Sequence, residues 1–155
     1  MAMEKDFRFQ FEDALPHKCV PMVVRRRLDE DAQIHLPLKV WAASFSEEDR
    51  EEILHFPAGS DFQEAYRERV RNLAFERSGE FPRDLAIADR FPWEEENPPQ
   101  YLVERAAAVG ASLDSWNDLD ALSRFALVKL SRPRKNRSAP NKAFVPACRE
   151  FGLLA

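Results

Sequence analysis

The stretch Asp120-Ala-Leu-Ser-Arg-Phe-Ala-Leu-Val-Lys-Leu-Ser-Arg-Pro133 decides the fold class, because it has the pattern of a capped and buried helix. Asp120 is a residue type that caps helix N-termini. The apolar residues that follow at helical spacing are Leu122, Phe125, Leu127, Val128 and Leu130. Side chains at this spacing belong to a protein core far more often than to a cofactor site, so we predict a structural helix that ends in a run of cations.

Other segments also have helical patterns, and the sequence as a whole predicts an all-α fold. Further helices are predicted over residues 21–29, 37–43, 46–56, 61–78 and 98–110. The chain has only 4 glycines but 11 prolines, which suits helices with firm starts better than a sheet with tight hairpins. With 155 residues, we expect one domain, 1–155, built as a bundle of six or seven helices. The alternating stretch Phe7-Arg-Phe-Gln-Phe11 is interpreted as an extended N-terminal arm.

The second half of the chain repeats the pattern of the first half once one residue is skipped after Trp41. The aligned pairs are Trp41 with Trp116, Phe45 with Leu119, Ser46 with Asp120, Arg50 with Arg124, Ile53 with Leu127, Leu54 with Val128 and Phe56 with Leu130. We therefore predict two similar halves, about 21–78 and 98–152, joined by an irregular connector, 79–97. Chance similarity between helical segments is the alternative.

Composition limits the function classes. The net charge of −4 provides no global basic field for nucleic acid. The chain starts with no apolar signal region and has no apolar run of about 18 residues, so we expect a cytoplasmic protein with no membrane span. Cys19 and Cys148 are too few for a disulfide framework and lie in apolar surroundings, so both are expected to be packed thiols.

Candidate catalytic and metal-binding patterns are weak. Glu52 and His55 have the E-x-x-H spacing of di-iron bundles, but the aligned positions, Ala126 and Lys129, cannot supply the second pair of ligands. We expect an exposed His55 near a helix C-terminus instead. No phosphate-binding glycine loop or G-x-S-x-G motif occurs. The sequence therefore predicts no catalytic residue, no metal and no cofactor.

Two basic clusters differ in their charge balance. Residues 131–142 contain five cations and no acid, and removing these cations from the net charge of −4 leaves −9 for the rest of the chain. Arg132, Arg134, Lys135 and Arg137 are candidates for docking an acidic partner surface, with a solvated loop as the alternative. By contrast, Arg25-Arg-Arg27 is followed at once by Asp29, Glu30 and Asp31, which predicts a self-compensated helix end.

Arg50 and Arg124 occupy equivalent places in the two halves. Each could stack on the repeated tryptophan or pair with an acid between helices, and we favour a structural role. The alternative is a cleft that binds an anionic ligand.

Several strings resemble the nitrate reductase-associated protein family. They are Phe9-Gln-Phe-Glu12, Cys19-Val-Pro-Met22 with Val24-Arg25 and Arg27-Leu28-Asp29, then Trp41, and finally Ser123-Arg-Phe-Ala-Leu-Val-Lys-Leu-Ser-Arg-Pro133. The last string is the most specific, and the similarity runs from the N-terminal arm to Glu150-Phe-Gly152. The segment from Arg134 to Lys142 looks longer and more basic than is usual in the family. The resemblance implies a process shared with nitrate reductase and molybdenum-cofactor genes, but it transfers no catalytic or binding residue.

These observations favour a non-enzymatic accessory protein in nitrate assimilation that binds nitrate reductase or a protein that matures it. Two alternatives stay open. One is a binder or enzyme of an anionic molybdenum-cofactor precursor, held by Arg50 and Arg124. The other is a nucleic-acid-binding regulator, which the absence of a basic helix face and of an aromatic platform disfavours.

Overall fold

The computed structural model of the chain describes residues 20–85, 90–132 and 144–154. Six α-helices and a two-stranded sheet lie in these ranges, which confirms the all-α class. The helices are α1 (Met22–Arg27), α2 (Glu47–Leu54), α3 (Gln63–Ser78), α4 (Gln100–Ala108), α5 (Ala121–Ser131) and α6 (Phe144–Glu150). The expected N-terminal arm over residues 7–11 lies outside the described residues, so it stays a prediction.

The chain divides into two compact units: residues 20–85 lie in one, and the other described residues lie in the second. The first unit contains α1 to α3, and the second contains α4 to α6. The expectation of one domain with an internal repeat over 21–78 and 98–152 stays a prediction.

The first unit has its own apolar core. Pro21 precedes α1, and its carbonyl accepts a hydrogen bond from the Arg25 N–H over 2.9 Å. The helix then continues as a π-helical turn, Leu28–Ala32, which packs against α3. The core contains Val24, Leu28, Ile34, Trp41, Phe45, Ile53, Tyr66, Val70 and Leu73. The predicted apolar stripe of the third helix is therefore confirmed as its buried face.

Arg27 joins the end of α1 to the connection that follows α2. Its guanidinium donates to the carbonyl oxygens of Phe56 and Pro57 over 2.6 and 2.9 Å, and its Cζ lies 3.9 Å from the ring centroid of Tyr66. It also pairs with Asp31, while Arg26 pairs with Glu30. The prediction of a self-compensated basic helix end is confirmed.

Two segments differ from the expected secondary structure. The predicted helix over 37–43 is largely a π-helical turn, Val40–Ser44. Ile34–His35 forms a short antiparallel sheet with Arg83–Asp84, within the expected irregular connector. Two residues per strand give no alternating pattern in the sequence, so the pairing was not predicted. The sheet fixes the chain after Phe81 against the chain before Pro37.

The second unit is organised around α5. Its N-terminus is capped by Asp120, whose carboxylate accepts a hydrogen bond from the Ser123 N–H over 2.8 Å. The helix packs against α4, α6 and a 3-10 turn, Pro92–Glu94. Six of the residues that it buries are Phe125, Ala126, Leu127, Val128, Leu130 and Ser131. The prediction that the opening stretch is a capped core helix is confirmed.

Candidate functional site

The basic stretch proposed as a partner-binding surface is described only at its first cation. Arg132 is exposed and follows the last residue of α5. Arg134, Lys135 and Arg137 lie outside the described residues. Their role in docking therefore stays a prediction that rests on the sequence.

Arg50 and Arg124 make similar contacts in their respective units. The Arg50 Nη1 donates to the carbonyl oxygens of Trp41 and Phe45 over 3.1 and 2.8 Å. The Arg124 Nε donates to the carbonyl oxygen of Trp116 over 3.0 Å, and its Cζ lies 5.3 Å from the Trp116 ring centroid. These bonds satisfy carbonyl groups that precede a helix. The anion-binding role considered for both arginines stays a prediction, and their contacts in the structure are to main-chain oxygens.

Residues with potential for acid–base or metal chemistry have other partners. Both carboxylate oxygens of Glu52 accept hydrogen bonds from Arg69, which lowers the pKa of Glu52. His55 is exposed just after α2, as expected, and its Nε2 lies 3.2 Å from Glu51. Within the described ranges, no cluster of histidine, cysteine and carboxylate side chains has the composition of a metal site.

Cys148 is buried in α6, and burial raises the pKa of its thiol to about 11. A thiol with this pKa stays protonated at neutral pH and is a poor nucleophile. Cys19 lies outside the described residues.

A groove of about 240 Å³ in the first unit is the strongest candidate site that the structure offers. It lies between the π-helical turn over Val40–Ser44 and the C-terminal end of α3. Its walls are Pro37, Lys39, Val40, Ser44, Ala74, Ser78, Glu80, Phe81 and Pro82. We call this feature the Phe81 groove.

The C-terminus of α3 shapes one side of the Phe81 groove. Gly79 adopts the left-handed conformation with φ 85°, which ends the helix as the sequence predicted. The Ser78 hydroxyl donates to the Ala74 carbonyl over 2.6 Å and accepts from the Glu80 N–H over 3.3 Å. The chain thereby turns back, and Phe81 lies against the surface of α3.

Large apolar side chains remain in solvent beside the Phe81 groove. Phe75 and Phe81 stack with ring centroids 4.4 Å apart and an interplanar angle of 14°. They are nevertheless 45% and 53% exposed, and Leu38, next to the wall residues Pro37 and Lys39, is 51% exposed. Contiguous exposed apolar surface of this kind is typical of a protein interaction site.

The charges around the Phe81 groove are not compensated by ion pairs within the described ranges. Lys39 and Glu80 line the groove, and Arg83 follows Pro82. Arg71 lies over Phe81, with its Cζ 5.1 Å from the ring centroid, and its buried Nε has no hydrogen-bond partner. Three cations therefore surround the groove together with one acid.

The sequence held a signal for this site that its helical pattern did not exploit. Phe75 follows Leu73 by two residues, so it lies off the buried face that Tyr66, Val70 and Leu73 define. An aromatic residue outside the apolar stripe, followed by Phe81 and Pro82 after a glycine stop, indicates an exposed aromatic pair. The contribution of Pro37 and Lys39 depends on the unpredicted two-stranded sheet.

Comparison with known proteins gives one result. A family model described as conserved nitrate reductase-associated protein matches residues 6–151 of this chain, which confirms the resemblance carried by the string Arg124 to Pro133. No curated protein and no solved structure matches the chain. Every helix in the described part of the chain is too short or too polar to cross a bilayer.

Proposed function

The chain belongs to the family of conserved nitrate reductase-associated proteins, and on that premise we propose that it is a non-enzymatic accessory protein. It acts in nitrate assimilation by binding nitrate reductase, or a protein that matures the enzyme. The proposal assigns no catalytic role to any residue and needs no cofactor. Its expected cytoplasmic location stays a prediction.

The observation that carries this proposal is the Phe81 groove with its exposed aromatic pair. A protein with a formed apolar core gains free energy by burying large apolar side chains, at roughly 25 cal/mol per Å² of apolar surface. Phe75 and Phe81 remain about half exposed although the same unit buries Trp41 and Tyr66 almost completely. Aromatic residues beside a groove are the side chains that most often anchor a protein partner.

The basic stretch over residues 131–142 provides a second point of contact in the proposal. Its cations would attract an acidic surface at a distance and speed up the encounter. The Phe81 groove would then supply the short-range contacts that hold the partner. Salt should therefore weaken the association mainly through the association rate.

Affinity capture tests the proposal. The tagged protein is recovered from nitrate-grown cells of its source, with ammonium-grown cells as the control, and co-purifying proteins are identified by mass spectrometry. We expect nitrate reductase or a molybdenum-cofactor maturation protein to be recovered specifically. Recovery of neither above the control would contradict the accessory role.

A charge-reversal variant tests the second contact separately. Replacing Arg132, Arg134, Lys135 and Arg137 by Glu should abolish capture while leaving the far-ultraviolet circular dichroism spectrum unchanged. Undiminished capture by this variant would remove the basic stretch from the proposal without affecting the role of the Phe81 groove.

A further inference from the structure

We propose that the Phe81 groove binds a partner segment that presents one large apolar side chain flanked by carboxylates. This inference rests on the proposed function and names the chemistry of the segment that the accessory protein recognises. It is argued from the size of the groove, from its apolar walls and from the charges around it.

The size of the Phe81 groove favours one side chain of a peptide segment over a free small molecule. Its volume of about 240 Å³ lies below the roughly 300–1,000 Å³ of typical small-molecule sites. A pocket of this size matches a leucine or an aromatic side chain. The remainder of the segment would run over the exposed surface of Phe75 and Leu38.

The walls of the groove are mainly apolar and partly rigid. Val40, Ala74 and Phe81 contribute apolar surface, and Pro37 and Pro82 contribute rings whose backbone φ is fixed. A rigid wall loses little conformational entropy when it is covered, so less of the binding free energy is offset. The stacking of Phe75 on Phe81 holds the aromatic wall in place before a partner arrives.

The surrounding charges define what flanks the apolar side chain. Arg67, Arg69 and Arg77 on α3 each pair with a carboxylate, at Asp84, Glu52 and Asp49 respectively. Arg71, on the same helix but over Phe81, has no such partner within the described residues, and the same holds for Lys39 and Arg83. Three uncompensated cations beside a single acid, Glu80, are complementary to an acidic segment.

Binding of a designed peptide tests this chemistry directly. The probe is a short fluorescein-labelled peptide with one central leucine between glutamates, and fluorescence anisotropy reports its binding to the full chain. Two control peptides replace the leucine by glycine or the glutamates by lysines. We expect each control to bind at least about tenfold more weakly than the probe.

Protein variants separate the apolar and the electrostatic contributions. Phe81→Ser should weaken binding of the probe at least about tenfold, since it removes the aromatic wall. Lys39→Glu and Arg83→Glu should each weaken it by about three- to tenfold, whereas Glu80→Lys should strengthen it. The matched control is Phe62→Ser, since Phe62 is 42% exposed at the opposite end of α3 and does not line the groove.

Equal binding of the acidic and the basic peptides, no binding of the probe, or full binding by Phe81→Ser would each overturn the inference. A second copy of this chain as the occupant would give another pattern. Lys39→Glu and Glu80→Lys would then each weaken self-association in analytical ultracentrifugation, and the double variant would restore it. That pattern would also overturn the inference.

The peptide experiment and the capture experiment fail independently. Peptide binding without capture of nitrate reductase or a maturation protein would support the groove chemistry and contradict the proposed function. Capture that Phe81→Ser leaves undiminished would support the proposed function and contradict the role of the groove.

Discussion

Arg124 donates its Nε to the carbonyl oxygen of Trp116 over 3.0 Å and lies over the ring of the same residue. Arg50 makes the equivalent hydrogen bond to the carbonyl oxygen of Trp41 over 3.1 Å. In both units the arginine lies in the first turns of a capped helix and the tryptophan is buried. The two arginines thus join a helix to the segment that precedes it in the chain.

Arg124→Ala should lower the free energy of unfolding by about 1–3 kcal/mol, because it leaves the Trp116 carbonyl without its charged donor and removes the contact with the indole ring. Urea titration followed by tryptophan fluorescence measures this change. Arg132→Ala is the control, since Arg132 is exposed and has no ion pair within the described residues, and its effect should stay within about 0.5 kcal/mol. Equal effects of the two substitutions would contradict the structural role of Arg124.

Asp49→Asn should lower the free energy of unfolding by about 1–2 kcal/mol at neutral pH. The Asp49 carboxylate accepts two hydrogen bonds from Arg77, over 2.8 and 3.1 Å, and a third from the Ser46 N–H over 2.9 Å. These bonds, led by those from Arg77 and opposed by burial, lower the pKa of Asp49 from 3.8 to about 2.

The same carboxylate predicts a pH dependence of stability. Because folding lowers the pKa of Asp49, its contribution is fully present above about pH 4 and is lost as the pH falls through about 2. The stability difference between the wild type and Asp49→Asn should therefore shrink over this range in urea titrations at a series of pH values. A difference that stays constant down to pH 2 would contradict this assignment.

Phe125→Ala should cost about 3–5 kcal/mol of stability, because Phe125 is completely buried in α5. Its ring meets Trp93 edge to face, with centroids 4.7 Å apart. Trp93 fluorescence should also shift to longer wavelength as water enters the cavity, which can be measured in a variant that lacks Trp41 and Trp116, if that variant is folded. Phe125→Leu, which retains most of the apolar volume, should cost clearly less, and equal costs would contradict close packing at this position.

Cys148 should not react with a thiol reagent in the native protein at pH 8, because its thiol is buried and its pKa is raised to about 11. The measurement uses a Cys19→Ser variant so that Cys148 is the only cysteine. Full reaction is expected after unfolding in guanidinium chloride. Rapid stoichiometric reaction of the folded variant would show that Cys148 is accessible.

The local patterns of the helices were sufficient to predict much of the fold. Ser46 and Asp120 cap their helices, Gly79 ends one, and Tyr66, Val70 and Leu73 are buried as their spacing indicates. Each of these features depends on neighbours within one or two turns of the chain. Such short-range interactions leave a readable pattern in a single sequence.

The candidate site could not be predicted in the same way, because its parts are distant in the chain. Pro37 and Phe81 line one groove only because Ile34–His35 pairs with Arg83–Asp84, and strands of two residues have no periodic pattern. The sequence instead singled out Arg132 and the cations after it, because a run of like charges is conspicuous without any structure. Phe75 was the available clue, since it departs from the buried stripe of its helix.

The most direct test of the central claim is the recovery of partner proteins from nitrate-grown cells by the wild type, by Phe81→Ser and by Phe62→Ser, quantified by mass spectrometry. We predict that nitrate reductase or a molybdenum-cofactor maturation protein is recovered with the wild type and with Phe62→Ser, and at least about tenfold less with Phe81→Ser. Recovery of neither protein with the wild type, or equal recovery with all three, would contradict an accessory protein that binds its partner through the Phe81 groove.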